Sequence, residues 1–96
     1  MKPSKGPIKK VTSSDIVFTL HAKKVLGERN IFVEWVLLVL NSPQKTQPDL
    51  EDPELTHVLS PIAENGNRVL RVVYNNHVKP VRIVTTYFDR TVKGKL

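Results

Sequence analysis

IFVEWVLLVL, Ile31 to Leu40, is the stretch on which the fold turns. A run this apolar and β-branched reads equally well as a buried strand or as a helix. Two neighbours of the problem decide it. The run is long for a strand, and it ends on Asn41, Ser42 and Pro43. Pro43 cannot continue a helix and disfavours helical geometry at Ser42. The expectation is a helix. On its wheel Val33, Val36, Leu37 and Leu40 form one apolar face and Phe32, Trp35 and Val39 another. Such a helix asks to be covered on two sides, by the rest of its own domain or by a second chain.

The preceding residues, FTLHAKKVLGERN (Phe18 to Asn30), read as a first helix. Thr19 is its N-cap, and Asn30 takes the left-handed position that ends helices. Phe18, Ala22, Val25, Leu26 and Arg29 fall on one side at 3.6-residue spacing, with His21 at the edge of that stripe. Arg29 is thus expected near its middle. Two structural roles for it stay open beside a functional one: meeting the free carbonyls at the helix end, or pairing with a buried carboxylate, for which Asp89 is the best candidate. For His21 the plain alternative is a histidine bonded to backbone or to Glu28.

After the second helix, Gln44 to Pro53 reads as a polar, acidic loop. ELTHVLSPIA is the first strand, an edge strand because Pro61 has no N–H for a ladder. ENGN turns the chain, RVLRVVYNN is a central strand, and VRIVTTYFDR is the last. The expected fold is α+β, two N-terminal helices packed on one face of a three-stranded antiparallel β-meander. Domain limits follow from composition: a basic flexible arm at 1–13, one domain at 14–91, a basic tail at 92–96.

The chain has 96 residues and a formal net charge of +6, with Lys2, Lys5, Lys9 and Lys10 near one end and Arg90, Lys93 and Lys95 near the other. Between Thr46 and Asn67 there is no Lys or Arg, whereas Asp49, Glu51, Asp52, Glu54 and Glu64 all fall there. A segregated positive charge favours polyanions; the same lysines would also serve solubility alone. No cysteine is present, which removes thiolate chemistry and disulfides. No apolar run approaches the roughly 20 residues that span a bilayer, and no signal-peptide pattern follows the basic start, so a cytoplasmic protein without a membrane is expected. The three histidines lie far apart, without HExxH or any nucleotide-binding glycine motif, so neither metal nor cofactor is expected.

Alternation along the strands puts Val69, Arg71 and Val73 on one side and Leu70, Val72 and Tyr74 on the other. The cleaner apolar sets face the helices. Arg71 and Arg82 are then left on the open side, wet and available, with His57 and aromatic Phe88 nearby. His77, beside Asn76 in a loop, is expected to be exposed.

FTLHAKKVLGERNI, WVLLVLNSP, THVLSPIAENGNRVLRVVYN and VRIVTTYFDR together resemble the bacterial domain of unknown function 4258 family, over Asp15 to about Arg90. The His-Ala opening and the arginine before Asn-Ile are the most specific elements. The helix-helix-strand-strand-strand plan in turn resembles BrnT- and RelE-type ribonuclease toxins, which cleave messenger RNA and are silenced by a cognate antitoxin. That resemblance implies RNA binding or cleavage. Metal-free cleavage needs a proton acceptor for the 2′-OH, cations on the phosphate and a proton donor for the leaving oxygen. The candidates are His21, His57 and Arg71 for catalysis, and Arg29, Arg71, Arg82 and Arg90 for RNA phosphates. Tyr74 and Tyr87 could stack or donate. The alternative is a non-catalytic interaction module that pairs with itself or a partner through Trp35, Leu37 and Leu38 of the second helix, and a third reading is a nucleic-acid binder without chemistry.

Overall fold

In the computed structural model, which describes residues 10–92, IFVEWVLLVL is helical. The chain runs β1 (Ile16–Phe18), α1 (Leu20–Arg29), α2 (Val33–Asn41), β2 (Lys45–Pro48), β3 (Leu55–Ile62), β4 (Arg68–Asn75), β5 (Val81–Phe88), with 3-10 turns at Ser13–Asp15, Ala63–Asn65 and Arg90–Val92. The strands form a five-stranded sheet in the order β1-β5-β4-β3-β2.

This corrects the three-stranded antiparallel meander. β3, β4 and β5 are antiparallel neighbours as expected, but β1 adds a parallel pair to β5, Ile16 opposite Val81 and Phe18 opposite Ile83. β2 adds an antiparallel strand outside β3, Lys45 opposite Leu59 and Pro48 opposite Thr56. The sheet is mixed because the chain enters as a strand before its helices, and two helices are enough to carry it across to the other side. β3 is therefore interior. Pro61 remains harmless there, because β2 reaches only to Leu59 and leaves no partner asking for its N–H.

Both helix ends form as their residues dictate. The Thr19 hydroxyl accepts from Ala22 N–H at 3.0 Å and donates to Val84 C=O at 3.1 Å, tying the start of α1 to β5. Asn30 ends α1 at φ 53, and Ile31 N–H returns to Leu26 C=O. α1 buries Ala22 and Val25 and no more. Arg29 is exposed, not central to a buried stripe, because this helix presents one narrow side to the protein.

α2 is the core helix. Trp35, Val36 and Val39 join Ile31, Val58, Ile62, Leu70, Val72 and Ile83 in one apolar cluster with Ile16, Ala22 and Val25. Val36, Val39, Leu70, Val72 and Ile83 are fully enclosed, and each such side chain contributes about 1.5–3 kcal/mol by leaving water. Trp35 donates its indole N–H to Glu64 at 2.8 Å, so its one polar atom is satisfied under the turn before β4. Of the three side chains expected to form a partner surface, Trp35 lies in the core, Leu37 is half-buried and Leu38 is exposed.

The basic arm expected at 1–13 and the tail at 92–96 lie mostly outside the described residues. Within them, Val11 is already held: Asn41 accepts from its N–H at 2.7 Å and donates to its C=O at 2.9 Å.

Candidate functional site

Cross-strand partners share a face. Leu70 and Val72 on β4 belong to the helix-side core, so Arg71 between them points to the other side. Opposite Arg71 stand Leu59 on β3 and Tyr87 on β5; opposite Val73 stand His57 and Thr85. A register shift at Val73/Tyr74 changes the alternation on β5, so that Thr86 and Phe88 pair with core positions while Arg82 pairs with Asn75. Phe88 is consequently not beside Arg82 on the open face. It packs against Trp35, ring centroids 5.9 Å apart.

The open face is not a bare cationic platform. Arg71 is 8% exposed, which corrects the expectation that it stays wet. Its Nε and Nη2 donate to Asp89 Oδ2 at 2.9 and 2.7 Å. Asp89 is thus the partner of Arg71 and not of Arg29. The other Asp89 oxygen accepts from Thr91 N–H at 2.9 Å and from the Thr91 hydroxyl at 2.6 Å. The Thr91 hydroxyl, against the cost of burial and with help from Arg71, holds the Asp89 carboxyl below the usual range.

Arg71 Nη1 lies 2.8 Å from His57 Nδ1, and His57 Nε2 lies 2.7 Å from Asp49 Oδ1. A guanidinium has donors and no acceptor, so Nδ1 must accept. The proton is then on Nε2, donated to Asp49, and the imidazole is neutral in that tautomer. Asp49 is set by its own loop: Glu51 and Asp52 N–H groups donate to its Oδ2 at 3.1 and 2.9 Å. The His57 hydrogen bond, followed by these two, lowers its pKa to about 2. Four side chains, two from β3 and β4 and two from the segments after β2 and β5, therefore form one continuous chain, Asp49–His57–Arg71–Asp89.

Asp49, His57 and Arg71 of this chain line an open cleft of about 420 Å³, together with Gln47, Pro48, Leu50, Glu51 and Tyr87. Leu50 stands at its lip, 99% exposed.

The remaining candidates are dispersed. His21 is exposed and its Nε2 meets the Thr85 hydroxyl at 3.2 Å, so it is bonded neither to backbone nor to Glu28, whose nearest cation is Lys24 at 3.9 Å. His21 thereby ends a row that crosses the sheet from His57 through Val73 to Thr85. Arg82, Arg90 and His77 are exposed. Tyr74 is half-buried on the helix side, and burial raises its pKa. Sequence reasoning paired His57 with Arg71 but missed Asp49 and Thr91. The acid-then-turn pattern Pro48-Asp49-Leu50-Glu51-Asp52-Pro53 was the available signal for Asp49. Among the described residues no three His, Asp or Glu side chains converge as metal ligands, and no helix is long and apolar enough to cross a membrane.

The family model described as a domain of unknown function (DUF4258) matches residues 18–88. The chain belongs to this family. The DUF4258 match takes in both helices, β2 to β5, and His57, Arg71 and Asp49; Asp89 and Thr91 follow directly after it. No curated protein and no solved structure matches the chain.

Proposed function

We propose that this DUF4258 chain is an RNA-directed protein of the ribonuclease-toxin kind, akin to BrnT and RelE, and that it cleaves RNA in the cleft beside His57. The observation that carries the reading is the 2.8 Å contact between His57 Nδ1 and Arg71 Nη1. It sets a basic lone pair and a phosphate-binding cation at the same point. A phosphodiester that takes up the Arg71 N–H releases Nδ1 to receive the 2′-OH proton, and Asp49 stabilises the imidazolium as it forms. The 2′-oxygen attacks phosphorus, the bond to the 5′-oxygen breaks, and Arg71 faces the charge that develops. Water in the open cleft returns a proton to the leaving oxygen, since His21 stands two strands away from His57, beyond Val73 and Thr85. Tyr87 offers a ring for a base, and Arg82 lies exposed on the same face. A cytoplasmic location and a protein partner covering the cleft belong to the same reading.

The test is incubation of the full chain with a short RNA and with the same RNA carrying one 2′-deoxy residue. Cleavage leaving a 2′,3′-cyclic phosphate is expected, abolished by the 2′-deoxy substitution. His57→Asn and Asp49→Asn, checked for an unchanged melting profile, should slow it by about 10²–10⁴-fold, the range for losing a general base. An inert wild-type chain, or an equally active His57→Asn variant, overturns the reading.

A second reading is a docking module. Phe32 and Leu38 on and beside α2 are 58% and 46% exposed, and their contact with another copy is what would use them. Light scattering decides this: a monomer at high concentration removes it.

A further inference from the structure

We propose that the end of the sheet where β4 begins and β5 finishes is a subsite for one nucleobase with its phosphate, formed by Arg68, Phe88 and Arg90. The ligand class rests on the RNA-directed reading; the site itself rests on its own geometry.

A pocket of about 220 Å³ lies there, lined by Arg68, Val69, Phe88, Asp89 and Arg90. It is smaller than the roughly 300–1,000 Å³ of ordinary ligand clefts, so it accepts a single ring system. Arg68 Cζ sits 4.4 Å above the centroid of the Phe88 ring. That ring is itself fixed, edge-on, against Trp35. A flat guanidinium with one face held by an aromatic ring keeps its other face for stacking, and its edge N–H groups for a phosphate. Buried Val69 supplies an apolar wall. Bases stack on arginine planes in this way in single-stranded nucleic-acid sites.

Charge points the same way. Asp89 is the acid in this pocket, and both its oxygens are already committed, one to Arg71 and the other to Thr91. Arg68 and Arg90 are exposed beside it. The cleft at His57, by contrast, carries Asp49 and Glu51 at its rim. Phosphate is therefore better received at the Arg68 end than at the rim. Asp89 links the two places, since it orients Arg71 for one and lines the other.

Trp35 is the single tryptophan of the chain, so all indole emission comes from the ring that packs against Phe88. Adenosine monophosphate titrated into the full chain should change that emission saturably. Adenosine and inorganic phosphate should each bind about tenfold or more weakly, because each lacks one of the two contacts. Arg68→Ala and Arg90→Ala, both at exposed positions, should each raise the Kd for the nucleotide about tenfold with the melting profile unchanged. An unsaturable response, inorganic phosphate binding as well as the nucleotide, or binding retained in both variants overturns the subsite, whether or not RNA is cleaved. Nucleotide binding that depends on Arg68 in a chain that cleaves no RNA upholds the subsite and removes the catalytic reading instead.

Discussion

Arg71 and Asp89 meet through two N–H groups and one carboxylate oxygen, Nε and Nη2 on Oδ2 at 2.9 and 2.7 Å, with both side chains about nine-tenths buried. The pair lies on the face of β4 turned away from the helices. It makes the candidate site a charged cluster held in place by the fold, and not a surface patch.

Removing one partner leaves an uncompensated buried charge. Asp89→Asn or Arg71→Ala should therefore cost about 3–5 kcal/mol in urea unfolding. Replacing both together by apolar residues of similar size should recover much of that loss. A single variant within experimental error of the parent would show that water, not Asp89, carries the Arg71 charge.

Acid should unfold the protein from the carboxylate side. Asp49 titrates at about 2 and Asp89 also lies below its usual range in the folded chain, so the unfolded chain binds the more protons in this window. Stability then rises with pH up to the ordinary carboxylate pKa, near 4, is level above it, and is lost as pH falls toward 2. Thermal melts from pH 2 to 6 read this directly, and Asp49→Asn should flatten part of the slope.

The imidazole of His57 should carry its proton on Nε2 at neutral pH, because Arg71 Nη1 faces Nδ1 at 2.8 Å. Nitrogen-15 spectra of the ring distinguish the two tautomers. A proton found on Nδ1 would separate His57 from Arg71 and dissolve the four-membered chain.

Thr19 works twice, as N-cap for Ala22 N–H and as donor to Val84 C=O. Thr19→Ala should cost about 0.5–2 kcal/mol, the range for a lost cap. Thr19→Ser keeps both bonds and should restore most of it.

Leu70, on β4, lies fully buried in the core cluster that includes Trp35, Val36 and Val39 of α2. Leu70→Ala should cost about 2–5 kcal/mol, measured by denaturant unfolding. A cost near zero would mean that this face is not the core.

Some features of the chain are local and could be read residue by residue. Thr19 and Asn30 bound α1 because capping needs only the neighbouring backbone. Asn41 to Pro43 end α2 for the same reason, and Asn-Gly at Asn65 and Gly66 leads the chain round with Gly66 at φ 66. The three long strands were legible from their alternation.

What escaped was decided at a distance. β1 is short and β2 is polar, KTQP; neither has a periodicity of its own, and each is a strand only because β5 or β3 offers it a free edge. The register shift at Val73/Tyr74 reversed which β5 side chains share a face, something no single strand records. The partner of Asp89 was equally invisible. Sequence by itself determined the helices, their caps and the apolar halves of the strands, because those follow from dihedral preference and burial of near neighbours. Only the tertiary structure decided that Asp89 takes Arg71, that Asp49 reaches His57, and that Arg29 stays in water, because pairing of charges depends on which backbones the sheet brings within hydrogen-bond reach.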